Sequence, residues 1–317
     1  MKVTVLGCGR WASFLAWYFD RNGHDVLVWG RVGSKNYEAL SVERKNEYLQ
    51  LSDKINFTNS LDKALAYSDR IVISISAQGL RDLMREIQKR DYKNKTFVLC
   101  MKGIEETTGK RLSEVVNEYL DAKVAVWVGP GHVQDFTNGV PNCMVIDSND
   151  LELTKQIVND FGSDLIRFYY GNDLIGDEVG AATKNVIGLA AGMLDGLGVT
   201  SLKGALMARG TREISRLISA MGGNSLTVYG LCHLGDYEAT LFSPHSHNRR
   251  FGEMFVKGEI YDQLAEGVST SKAVKVLSEK YGVELSINDA VYSIIIDGKP
   301  PKEVLNNLFL RSIKSEF

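Results

Sequence analysis

Short runs of apolar, mostly β-branched residues punctuate the first half of the chain at residues 3–6, 25–29, 70–75, 97–100, 124–128 and 144–146, with helical stretches between them. Within each run the apolar positions are consecutive rather than alternating, as in strands covered by helices on both faces. This rhythm predicts an α/β domain built from βαβ units around a mostly parallel sheet. From about residue 171 the pattern changes to long amphipathic segments with glycine punctuation at Gly222-Gly223 and Gly230, which predicts a helical second half. The change of period divides the chain into domains at 1–170 and 171–317, a division that a length of 317 residues supports.

The first run leads straight into Gly7-Cys8-Gly9-Arg10-Trp11-Ala12, a G-x-G-x-x-A turn that opens a helical pattern. Strand, glycine turn and helix together are the context of a dinucleotide fingerprint. Gly7 permits the tight turn, Gly9 lets the backbone approach a pyrophosphate, and Ala12 lets the helix pack on the strand. The second run ends in Gly30-Arg31, where an NAD-selective site usually carries an acidic residue. A cationic fork there suits a 2′-phosphate, so the expected cofactor is NADP(H) or NAD(H).

In the second half, Gly176, Gly180, Lys184, Gly188 and Gly192 recur every four residues, a stripe along one helical face that carries one cation. Each glycine costs a helix about 1 kcal/mol relative to alanine, so close packing or a ligand must offset them. Ketone reduction by hydride develops charge on oxygen, which an ammonium such as that of Lys184 stabilises and protonates. Lys102 follows the run at 97–100 and so lies at the strand ends where ligands bind in such sheets. Asp236 is a candidate to orient Lys184 or to accept a bond from a substrate hydroxyl, or else a helix N-cap. The stretch from Ser243 to Arg250 is rich in anion-binding donors.

Composition narrows the function classes. With 37 basic and 39 acidic residues the net charge is −2, without the excess that phosphate-dominated binding of nucleic acid requires. The four cysteines are far apart, which indicates neither a metal site nor a disulfide framework and fits a reducing cytoplasm. The first apolar run is too short for a signal peptide. The stretch 186–199 is interrupted by Asp195 and falls short of the ~20 apolar residues of a membrane span.

Taken together, the opening fingerprint, Asn22-Gly23-His24-Asp25-Val26, Lys102-Gly103-Ile104-Glu105, Gly129-Pro130, Gly180-Ala181-Ala182-Thr183-Lys184-Asn185, Leu234-Gly235-Asp236, Asn248-Arg249-Arg250-Phe251-Gly252 and Glu266-Gly267-Val268 resemble the NAD(P)-dependent glycerol-3-phosphate dehydrogenase family in its bacterial form. The resemblance implies a Rossmann-like N-terminal domain, an all-helical C-terminal domain and a cytoplasmic homodimer. It also implies a phosphorylated triose as substrate and a supply of glycerol 3-phosphate for phospholipid synthesis. By position, Lys184 matches the catalytic lysine. Lys102, Gly129, Asp236, Ser246 and Asn248 match substrate contacts, and His247 and Arg249 beside them are further candidates. Gly7, Gly9, Arg10, Trp11, Ala12, Arg31, Lys102, Val133, His247 and Glu266 match cofactor contacts.

Two positions depart from the family pattern. Gly131 stands where a serine or threonine is usual, removing a hydroxyl donor, and His247 stands where an arginine is usual. Phosphate binding is then expected to be weaker or to depend on pH through His247, with Arg249 or Arg250 as substitutes if the backbone turns them inward. The competing readings are a lysine-dependent 3-hydroxyacid or ketopantoate-type reductase and a dinucleotide-binding protein without catalysis. The basic 248–250 segment favours a phosphate monoester over a carboxylate.

Overall fold

The apolar runs become the inner strands of one sheet, and two strands that hydrophobic patterning had not indicated complete it. The computed structural model describes all residues except Lys314 and Phe317. Among these residues eight strands pair: β1 (Lys2–Leu6), β2 (Asp25–Trp29), β3 (Asn56–Thr58), β4 (Arg70–Ile73), β5 (Thr96–Leu99), β6 (Lys123–Val128), β7 (Asn142–Ser148) and β8 (Ile166–Tyr170). Their order is β3-β2-β1-β4-β5-β6-β7-β8, parallel throughout except for the β6–β7 pair. Helices α1 (Arg10–Arg21), α2 (Lys35–Glu43), α3 (Leu61–Tyr67), α4 (Leu80–Gln88), α5 (Leu112–Tyr119), α6 (Val133–Thr137) and α7 (Leu151–Phe161) alternate with the strands.

The missed strands are the two sheet edges. β3 is three residues long and β8 reads Ile-Arg-Phe-Tyr-Tyr with Arg167, Tyr169 and Tyr170 exposed, so neither carries a buried apolar run. Trp127 on β6 is buried among Tyr18, Phe19, Phe161 and Phe168, the last edge-on at 4.8 Å between ring centroids. This aromatic cluster pins α1 and α7 on one face of the sheet.

The rest is helical: α8 (Leu174–Gly196), α9 (Lys203–Ala220), α10 (His247–Lys257), α11 (Glu266–Tyr281), α12 (Ser286–Ile295) and α13 (Pro301–Phe309). The chain forms two compact units, Met1–Gly103 with Lys110–Glu178, and Ile104–Gly109 with Val179–Phe317. The division differs from one at residue 170 because side chains tie the start of α8 into the first unit. The buried Glu178 carboxylate accepts from Ser113 N (2.8 Å), Ser113 Oγ (2.6 Å) and Arg111 Nη1 (2.6 Å). Gly109 in turn packs against Leu277 and Val276 of α11 in the second unit. Among the described residues no helix is long and apolar enough to cross a membrane.

Glu213 on α9 is buried and accepts from Ile287 N (2.9 Å) and Asn288 N (3.1 Å) in the first turn of α12. Burial pushes its carboxyl from 4.5 up to about 7. The folded state therefore holds this proton more tightly than the unfolded chain. Its contribution to stability is complete below about pH 4.5 and is lost as pH rises through 7. Glu213→Gln is accordingly expected to stabilise the protein by about 1–3 kcal/mol at pH 8, with the gain shrinking toward pH 5. Denaturant melts at both pH values test this; a loss at pH 8 would mean that the charge-assisted cap of α12 outweighs the burial cost.

Candidate active site

The glycine stripe of α8 is a packing seam. A methyl at Gly180 would meet Cys232 and His233, one at Gly188 would meet Thr240 and Asn248, and one at Gly192 would fall on the Arg249 carbonyl oxygen. At Gly196 it would meet Val256 and Glu253. One continuous segment, residues 232–256, thus lies along the bare face of the helix. That close approach offsets the helix-propensity cost of the glycines.

Lys184 projects from the same helix into this contact. It is 6% exposed, and its Nζ lies 2.8 Å from Asp236 Oδ2 and 2.7 Å from Thr240 Oγ1. The Thr240 hydroxyl donates in turn to the Asp236 carbonyl at 2.7 Å, which fixes the direction of its lone pairs. Asp236 is 1% exposed, so the ion pair is largely withdrawn from water and the ammonium is held in one orientation. Of the three readings the sequence left open for Asp236, the ion pair has the geometry of orienting Lys184.

His233, fully buried, closes the back of the pair. Burial pulls its imidazole down to about 4, so the ring is neutral at physiological pH. Its Nδ1 lies 2.8 Å from the Gly180 carbonyl and its Nε2 2.6 Å from the Tyr237 hydroxyl. A neutral ring that donates from Nδ1 must accept at Nε2, so one tautomer satisfies both contacts. Thr240 and His233 escaped the sequence reading. Thr240 carried one usable signal, its position one helical turn past Asp236.

The donor-rich segment that follows is a helix start. Ser246 is the N-cap of α10, its Oγ accepting from Arg249 N at 3.3 Å. His247, the first residue of α10, holds the Tyr261 hydroxyl at Nδ1 (2.5 Å). Asn248 donates to Asn185 Oδ1 (3.1 Å) and accepts from Gly267 N (2.8 Å), beside Glu266 in the first turn of α11. Arg249, expected as a substrate contact, is engaged by two carboxylates. Its guanidinium is paired with Asp195 (2.6 Å) and Glu253 (3.5 Å), and a fork already neutralised by two carboxylates has little attraction left for an anion. Arg250 stacks over Tyr261 at 5.6 Å.

In the first unit the dinucleotide turn has the geometry its glycines require. Gly7 has φ 135°, and a Cβ there would strike the Ser74 carbonyl. Gly9 is the N-cap of α1 without a side-chain cap, and a Cβ built on it meets nothing within 4 Å. An open, uncapped helix start fits a pyrophosphate. Ala12 is fully buried beneath Gly7. Arg10 reaches Gln134 Oε1 at 2.8 Å and lies over Tyr48, while Trp11 packs on Phe14 at 4.7 Å. Arg31 is exposed just beyond β2. The Val133 side chain is buried in the core, so any cofactor contact from it comes through the backbone. Lys102 and Gly129 meet, with Nζ 2.5 Å from the Gly129 carbonyl. Among the described residues no group of three or more His, Cys, Asp or Glu side chains could hold a metal ion.

Gly131 is more than a missing hydroxyl. Its φ is 150°, and a Cβ would enter the ring of Phe136, which stacks on Phe14 at 5.0 Å. Gly131→Ser is therefore expected to destabilise the protein by about 1–3 kcal/mol and to leave the substrate KM no better. Thermal melts with steady-state kinetics check both parts. A lowered KM without loss of stability would mean that Phe136 yields the space.

Two family models cover almost all of the chain: the N-terminus of NAD-dependent glycerol-3-phosphate dehydrogenase matches residues 2–154 and its C-terminus matches residues 173–306. The chain is 35% identical over 326 residues to the glycerol-3-phosphate dehydrogenase [NAD(P)+] of Thermoanaerobacter sp. (strain X514), covering 100% of this chain and 99% of the relative. It is 36% identical over 327 residues to that of Clostridium botulinum (strain Eklund 17B / Type B), covering 99% of each. Among solved structures, the glycerol-3-phosphate dehydrogenase of Coxiella burnetii superposes with a TM-score of 0.91 at 25% identity, over 98% of this chain and 99% of that one.

Proposed function

The chain belongs to the NAD-dependent glycerol-3-phosphate dehydrogenase family, and on that footing we propose how its residues divide the work. The activity is hydride exchange between NAD(P)H and dihydroxyacetone phosphate, with sn-glycerol 3-phosphate as product. A bound dihydronicotinamide supplies the hydride. As charge develops on the carbonyl oxygen, Lys184 Nζ stabilises it and delivers a proton there. The amine left behind is the base of the reverse reaction. Asp236 and Thr240 hold Nζ in one direction, so little reorganisation accompanies the chemistry.

For the phosphorylated triose, the contacts that the second unit offers are Ser246, His247 and Asn248 at the start of α10, and those that the first unit offers are Lys102 and Gly129. In the first unit Gly7, Gly9, Arg10, Trp11 and Ala12 receive the pyrophosphate, Arg31 the adenosine end, and the Val133 backbone is a further cofactor contact; His247 and Glu266 are the cofactor contacts assigned to the second unit. Supply of glycerol 3-phosphate for phospholipid synthesis, a homodimer and a cytoplasmic place of action belong to the same reading, supported by the family. The observation that carries the reading is the buried Lys184–Asp236–Thr240 constellation.

Initial rates of NADPH and NADH oxidation with dihydroxyacetone phosphate test it, with unphosphorylated dihydroxyacetone and ketopantoate as controls. Turnover is expected with the phosphorylated triose alone. Arg31→Ala is expected to raise KM for NADPH about tenfold or more and to leave that for NADH within about twofold. Equal effects on the two cofactors would remove Arg31 from 2′-phosphate recognition, and faster turnover of ketopantoate would overturn the substrate assignment.

A further inference from the structure

Lys184 takes its bond to Thr240 from an irregular piece of backbone. Residues Glu238–Phe242 form a single π-helical turn, closed by Ser243 N donating to the Glu238 carbonyl at 3.2 Å. Such turns are rare and poorly bonded, and the carbonyls at a helical end need donors from elsewhere. Here one donor is Lys203, the first residue of α9, whose Nζ reaches the Leu241 carbonyl at 2.9 Å. Leu241 directly follows Thr240, so this bond fixes the peptide next to the hydroxyl that holds the reacting ammonium.

Lys203 is 7% exposed, and its charge is matched by Asp195 of α8, whose Oδ2 lies 2.7 Å from Nζ. The same oxygen accepts from Arg249 Nε at 2.6 Å, immediately after Asn248. One buried carboxylate thus ties the π-turn behind Lys184 to the helix start that carries Ser246, His247 and Asn248. Lys203 and the Asp195 side chain are each less than a tenth exposed, and charges withdrawn from water in this way are costly unless they satisfy one another.

We propose that Lys203 is a positioning residue for the dehydrogenase reaction, clamping the π-turn through the Leu241 carbonyl so that Thr240 stays in register with Lys184, with Asp195 as the anion that holds it. The proposal rests on the functional reading above. Lys203→Met is a mild probe, because Asp195 keeps Arg249 as a partner and no carboxylate is left buried alone.

The test is a double-mutant cycle with Thr240→Val on the full-length protein. Lys203→Met is expected to lower kcat about tenfold with KM for NADPH within about twofold of wild type. In the Thr240→Val background the same substitution should cost less than about twofold, because its effect passes through the missing hydroxyl. Additive losses would overturn the proposal. A second readout does not need activity: backbone amide exchange over residues 238–243 should quicken in Lys203→Met while that of α12 stays unchanged. Unchanged exchange in the turn would overturn the clamp. A wild type that fails to turn over dihydroxyacetone phosphate would instead sink the assigned reaction, leaving the exchange measurement to decide the clamp.

Discussion

Lys184→Ala is expected to lower kcat by about a thousandfold or more, with the dissociation constant for NADPH within about twofold of wild type. In the proposed reaction the lysine acts on charge that develops in the transition state, so its removal should appear in turnover rather than in cofactor binding. A second consequence follows from burial. Asp236 is 1% exposed, and the substitution removes the ammonium that lies 2.8 Å from its carboxylate. Breaking a buried ion pair by removing one partner costs about 3–5 kcal/mol, so Lys184→Ala should also melt at a lower temperature.

Lost activity and lost stability can be separated. Adding Asp236→Asn to Lys184→Ala removes the buried negative charge while keeping an amide for hydrogen bonding, so Tm should recover toward wild type. Turnover should not recover. If the double variant regained activity with its stability, Lys184 would be a structural residue and the chemistry would have to be assigned elsewhere.

The second large effect is expected at Gly192. Helix propensity alone makes Gly192→Ala stabilising by about 1 kcal/mol. The tertiary contact reverses the sign, because the new methyl falls on the Arg249 carbonyl and against the Glu253 amide nitrogen, and backbone cannot rotate away as a side chain can. α10 must shift, carrying Ser246, His247, Asn248 and the Arg249–Asp195 pair with it. A loss of about 3 kcal/mol is expected, with KM for dihydroxyacetone phosphate rising more than kcat falls, since Lys184, Asp236 and Thr240 are not on α10. Gly204 on α9 is the control, because a Cβ there meets nothing within 4 Å and alanine should stabilise by about 0.5–1 kcal/mol. Urea melts of the two variants side by side check the argument; equal gains would mean that the seam between α8 and α10 is looser than its contacts imply.

Much of this protein is written in local pattern. The inner strands were legible because a strand covered on both faces must be apolar at consecutive positions, and the dinucleotide turn because only glycine tolerates the backbone at Gly7. Lys184 stood out as the cation on a stripe of glycines. The edge strands β3 and β8 were not legible, since an edge is partly solvated and leaves no continuous apolar run.

What the stripe is for, and what surrounds the lysine, was decided only by the fold. Spacing could say that a helix face was bare, but not that residues 232–256 would fill it. The donor-rich run at 243–250 made Arg249 a candidate phosphate contact, but it could not show that Asp195, fifty-four positions away, pairs with its guanidinium. Gly131 read as a lost hydroxyl until Phe136 was found in its place. Periodicity and turn chemistry act between neighbours in sequence, and so survive in the sequence alone. The partner of a buried charge or the filler of a small gap is chosen among residues far apart in the chain, and that choice is made only when the backbone closes around it.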